Sequence, residues 1–198
     1  MANQDAAFGL RPLKTVGQQD DSTGMGQHWI DAGEASAMYQ GSLVSSPGTG
    51  TGYIDIAGLT DVLNVGAFWG CFYDDPTTRK PTFKNYYPGG ITPPQSQDIE
   101  AFVYDSPYQM FEIQSAATGA SAQADIYKCC DLASNSGSTS NGVSSAESAD
   151  TFGAGPAQLK VMGVSRDPKN NEIGSANVNW RVMICEHLFG SGTAGAAN

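Results

Sequence analysis

The sequence predicts an all-β protein, with a single β-sandwich or small barrel core, an extended N-terminal arm and long loops. Three observations carry this expectation. Gly makes up 24 of the 198 residues and charged residues only 15%, so much of the surface must be Ser, Thr, Asn, Gln and Gly, which suits strands and turns better than helices. No window keeps clean helical periodicity beyond about three turns. The run AQLKVMGVSRDPKNNEIGSANVNWRVMICEHL contains two stretches of period-two alternation, 158–165 and 177–186. Between them, Asp167-Pro168 and Asn170-Asn171 are turn formers, because Pro presets φ and Asn tolerates the left-handed region. This run therefore reads as a long-looped hairpin.

The length suits one domain, divided into an arm (1–28), a core (29–190) and a flexible tail (191–198). Residues 1–28 lack periodicity and include the polar run GQQDDSTGMGQ. Two readings stand: a solvated tail, or an extended arm that orders against a partner. Phe8, Leu10, Pro12 and Leu13 favour the second. Strands are expected from residue 28 to 30 and over 36–44, separated by a loop through Gly33, and SSPGTGTG is a flexible loop. Residues 53–57 alternate as a further strand. VLNVGAFWGCFY is the most apolar run and belongs in the core as one or two strands bent at Gly66 or Gly70.

Residues 74–94 are rich in Pro and read as a surface excursion carrying Phe83, Tyr86 and Tyr87. Aromatic residues in such a setting either dock onto a partner or fold back on their own domain. Strands at 99–104 and 109–114 flank Asp105-Ser106-Pro107, and another strand is expected at 124–132. ASNSGSTSNGVSSAESA, within 133–149, has the composition of a loop or mobile lobe.

The chemistry expected of this chain is sparse. A net charge of −10 argues against nucleic-acid binding, which needs a basic footprint. No apolar run approaches the roughly 20 residues of a membrane span, and the first residues lack the pattern of a secretory signal. Four irregularly spaced cysteines do not make a disulfide framework. Cys185-Glu186-His187 lacks the second ligand pair of a structural zinc site and reads as a strand end rather than a Cys–His dyad. GTGTG lacks the spacing and following helix of a phosphate loop. The Asp20-Asp21 and Asp74-Asp75 pairs read as solvated or turn-capping residues. No catalytic residue, metal site or cofactor is therefore expected, and the chain reads as a structural or binding protein.

Three blocks resemble a family of tailed-bacteriophage head proteins. The opening supplies Gly9, Arg11 and Pro12; the middle supplies Asp105, Pro107, Phe111, Glu112, Ile113 and Gln114. The closing hairpin supplies Leu159, Gly163, Arg166, Pro168, Asn171, Glu172 and Gly174. The chain departs from that pattern in its aromatic excursion and its Cys-Glu-His ending. The resemblance implies a cement (decoration) protein of the virion. Such a protein would assemble in the bacterial host cytoplasm, sit on the outer surface of the capsid and stabilise the lattice by clamping neighbouring major capsid proteins. A homotrimer is expected at local threefold positions. Phe8, Leu10, Arg11 and Pro12 are the expected arm anchors, with Phe83, Tyr86 and Tyr87 as secondary contacts. On this account, removing residues 1–15 should leave the core folded. The alternatives are a β-rich receptor- or glycan-binding head appendage, with Trp29 and the tyrosines as a sugar platform, and an enzyme of the lysin or depolymerase kind.

Overall fold

The computed structural model describes residues 3–16, 24–47, 51–116 and 121–190. The first half of the chain forms β1 (Arg11–Thr15), β2 (Gly26–Ile30), β3 (Leu43–Ser45), β4 (Asp55–Ile56), β5 (Asn64–Asp74), β6 (Pro81–Lys84) and β7 (Ile99–Tyr104). The second half forms β8 (Gln109–Gln114), β9 (Cys129–Cys130), β10 (Leu132–Ser134), β11 (Glu147–Ser148), β12 (Leu159–Val164) and β13 (Asn179–Ile184). Among the described residues, helix is limited to single 3-10 turns at Pro94–Ser96 and Gln123–Asp125. The protein is all-β.

The first sheet has the order β1-β8-β13-β12-β9, and the second runs β2-β7-β5-β3-β4, with β6 also paired to β5. β10 and β11 form a separate ribbon. Pairing within both sheets is antiparallel throughout. One apolar cluster lies under the first sheet around Trp180, Phe111 and Val161, and takes in Leu43 and Ala67 from the second. The other lies on the second sheet around Ile30, Phe68, Tyr87, Ile99 and Val103.

The C-terminal hairpin forms as its alternation predicts, with Leu159 opposite Ile184 and Val161 opposite Val182. Its turn begins at the expected Asp167 and runs on past the expected start of the second strand, which opens at Asn179 rather than 177. The Asp167 carboxylate accepts from the Lys169 N–H at 3.0 Å, and Asn177 takes a left-handed φ of 60°, which Asn tolerates. VLNVGAFWGCFY becomes most of β5, with a register shift between Phe68 and Gly70 against β7. This single long strand pairs with β3 through its first half and with β6 through its second.

Three expectations change. The Ser- and Asn-rich segment 133–149 is a fastening rather than a mobile lobe. The Asn135 side chain donates to the carbonyls of Leu43 (2.8 Å) and Ala57 (2.9 Å) and accepts from the Leu43 N–H (3.2 Å), while Ala146 is wholly buried. Small polar side chains can replace a missing backbone ladder in this way, which composition alone does not reveal. The strand expected at 124–132 is broken by the turn at Gln123–Asp125 and a left-handed Tyr127 (φ 73°), leaving only short pairings. Residues 36–44 give bridges at Met38 and Gln40 and only the start of β3. The expected tail, 191–198, lies outside the described residues.

Candidate partner-binding surface

The N-terminal segment turns inward at Gly9. Its φ is +71°, and a Cβ there would lie 2.6 Å from the Gly41 carbonyl oxygen and 2.7 Å from the Ser144 Cβ, so only Gly fits. The Leu10 N–H then donates to the Gly41 carbonyl at 2.8 Å and the Leu10 side chain, 1% exposed, enters the first cluster. β1 adds to β8 as an edge strand with Arg11 opposite Glu112 and Pro12 opposite Phe111. Pro, lacking an N–H, is tolerated at such an edge. The Arg11 guanidinium sits 4.0 Å from the Phe8 ring centroid and 3.4 Å from a Glu112 carboxylate oxygen. Farther upstream, the Ala6 N–H donates to the Gln114 side chain (2.9 Å), and the Gln114 amide donates to the Gln4 carbonyl (2.9 Å). The described arm is therefore ordered along its own sheet, and Leu10 belongs to the core.

The second sheet continues the surface that the arm borders. Along β7, Tyr104, Phe102 and Glu100 point to one face because successive side chains alternate. At the Tyr104 end this face, with Ala67 opposite, is covered by the first apolar cluster. Two rows farther on it is open. One row runs Trp29, Glu100, Phe72 and Phe83 across four strands; Trp29, Phe72 and Phe83 are 47%, 40% and 46% exposed. Phe102 stands beside Gly70 in the next row, and Phe83 lies over that glycine, where a Cβ would approach its ring to 2.6 Å. Trp69, the extra residue at the β5 register shift, packs on Phe83 (centroids 5.1 Å apart) and on the edge of Phe102 (6.4 Å).

A cleft of about 260 Å³ joins the two parts, with Phe8, Leu10, Arg11 and Pro12 on one side and Trp69 and Tyr104 on the other. The structure thus gathers Phe8, Arg11, Pro12 and, across Trp69, Phe83. The excursion aromatics divide. Tyr86 is half-buried and stacks on Tyr39 with centroids 6.1 Å apart. Tyr87 is fully buried in the second cluster and donates its hydroxyl proton to the Glu34 carbonyl at 2.7 Å. A ring with its hydroxyl satisfied is stable in a core, so Tyr87 faces its own domain. Trp69, Phe72 and Phe102 belong to this face although the sequence does not mark them as surface residues. Period-two alternation through 99–104 carried the signal for Phe102.

Histidine and cysteine lie elsewhere. The imidazole Nε2 of His28 is 3.0 Å from an Asp105 carboxylate oxygen. Burial pushes the His187 pKa down to about 4, and its Nδ1 accepts from the Phe189 N–H at 3.1 Å. Burial also pushes the Cys71 and Cys130 thiols up to about 12. The Cys129 and exposed Cys185 sulfurs are 3.8 Å apart, and all four cysteines are free thiols. Among the described residues, no group of three or more His, Cys, Asp or Glu is arranged to hold a metal ion, and no helix is long and apolar enough to cross a membrane. The Trp69–Phe83–Phe102 face and its cleft offer apolar area, with Arg11 and Gln40 as the polar members of the cleft lining. Comparison with known protein families, characterised proteins and solved structures gives no match.

Proposed function

We propose that this chain is a structural virion protein that binds the outer surface of a phage head as a cement protein, stabilising the lattice of the major capsid protein. The observation that carries the proposal is the exposed aromatic face of Phe72 and Phe83, continuous through Trp69 with the arm cleft, with Trp29 beyond Glu100 in the same row. A contiguous exposed apolar surface rimmed by polar groups is characteristic of an interaction site. The residues behind the resemblance add support, since those in strands fall on β1, β8 and β12 of one sheet. On this proposal Phe8, Arg11, Pro12 and Phe83 touch the capsid, Leu10 holds the arm in place, and copies associate as homotrimers at local threefold positions.

The test is removal and re-addition on purified heads, followed by heating. Stoichiometric rebinding that raises the temperature of head disruption would support the proposal; no rebinding, or rebinding without protection, would refute it. The appendage alternative draws on Trp29, which is exposed on the same face. Of the excursion tyrosines, Tyr87 is in the core and Tyr86 is half-buried against Tyr39.

A further inference from the structure

The outer face of the first sheet carries a feature that the overall charge hides. The chain has only ten Lys and Arg residues against twenty Asp and Glu. Four of those ten cations, Arg11, Lys14, Arg166 and Arg181, line one groove of about 600 Å³ between β1 and the β12–β13 hairpin. Two carboxylates share it, and both are occupied. Glu112 accepts from the Ser165 hydroxyl and faces Arg11 at 3.4 Å. Asp167 accepts from the Lys169 N–H within the hairpin turn. Among the described residues, no ion pair is formed by Lys14, Arg166 or Arg181.

Arg181 is held in place before any ligand arrives. Its Nε–H donates to the Val164 carbonyl at 3.0 Å, and a Cβ at Gly163 would come within 2.7 Å of its Nη2. Gly163 leaves the guanidinium room beside the strand, and the bond to Val164 orients it, which lowers the side-chain entropy lost on binding. Arg11, Glu112, Arg181 and Gly163 form one cross-strand row. Leu13, 36% exposed, and Met110 give the groove apolar lining.

We propose that this groove docks an acidic peptide segment of a partner protein, with its carboxylates on Lys14, Arg166 and Arg181. Charge complementarity selects that occupant: guanidinium groups match carboxylates in two-point geometry, and the apolar lining favours a peptide over a bare ion. The chain's net negative charge does not prevent this. Distant charges are screened over about 10 Å at about 0.1 M salt, so the groove's own cations dominate at contact. The inference stands apart from the head-binding proposal, although Arg11 borders both the cleft and the groove.

The test is fluorescence anisotropy of the full chain with fluorescein-labelled hexaglutamate. Binding is expected at about 0.1 M salt and should be lost at about 1 M, where the screening length falls to about 3 Å. The double variant K14Q/R166Q alters two exposed side chains and should weaken binding about tenfold, the effect of two surface charges of several tenths of a kcal/mol each. R181Q, with its fold checked by thermal melting, should weaken binding further. R79Q/K80Q, in the turn before β6, should change nothing. No binding at about 0.1 M salt, or equal loss in R79Q/K80Q, would overturn the proposal. Full competition by inorganic phosphate at millimolar concentration, with no preference for hexaglutamate, would reassign the groove to simple anions and overturn the peptide proposal.

Discussion

Leu10→Ala tests whether the arm is part of the fold. Leu10 is 1% exposed and packs in the cluster that includes Phe111, Trp180 and Leu43. Truncating it removes buried methyl and methylene groups and leaves a cavity, because Gly41 and β8 fix the backbone on either side. Substitutions of this kind cost about 2–5 kcal/mol; the cleft beside Leu10 gives its neighbours some room to relax, which places the expected loss near 3 kcal/mol. For a chain of this size, each kcal/mol lowers Tm by about 2–4 °C, so Leu10→Ala should melt about 6–12 °C below wild type. Thermal unfolding followed by circular dichroism reads this directly. A shift below about 2 °C would show that the arm is an appendage and that β1 contributes little. By the same reasoning, deletion of residues 1–15, expected from sequence to spare the core, should destabilise it, since it removes Leu10 and the whole of β1.

Other predictions rest on separate features. Phe83→Ser removes a ring of which nearly half is still exposed; losing its burial at an interface costs about 2 kcal/mol, so affinity for heads should fall about thirtyfold in a binding titration. Gly9→Ala forces a Cβ into contact with the Gly41 carbonyl at a positive φ and should lower stability by about 2 kcal/mol or more in denaturant melts. At pH 8, an alkylating reagent followed by mass spectrometry should label exposed Cys185 fastest and leave Cys71 and Cys130 unmodified, because burial holds their pKa values near 12. His187 has a folded pKa near 4, below its ordinary value of 6.5. The unfolded state therefore takes up the proton first, and this histidine's contribution to stability is complete above pH 6.5 and declines towards pH 4. His187→Gln should flatten that part of the stability curve relative to wild type.

The strands that the sequence revealed are those with an uninterrupted two-residue period. β12 and β13 alternate along their length, β7 alternates from Ile99 to Tyr104, and Asp167, Pro168 and Asn170 punctuate the hairpin between the first two. Segments held by side chains were hidden. Asn135 fastens to Leu43 across the sequence, and nothing in a Ser- and Asn-rich run announces that partner. The binding surface was legible in part. Phe83 and the Phe8–Pro12 segment stood out as apolar residues in polar surroundings, whereas Leu10 and Tyr87 looked the same in sequence yet fill cores. Trp69 and Phe72 sat within a run that reads as wholly buried. Only the register shift after Phe68, and the pairing of Phe72 with Phe83, set them on the open face. The basic groove is not legible in sequence because its cations come from β1, the hairpin turn and β13, and β1 is far from the other two along the chain.

Hydrogen exchange of the protein, free and bound to purified heads, tests most directly whether the aromatic face is the attachment surface. Slowed exchange on binding is expected in amides of β5 from Trp69 onward, in β6 and in β7, with little change in β9 and the 3-10 turn at Gln123–Asp125. Protection confined to β9 and that turn, with β5 to β7 unchanged, would contradict the claim.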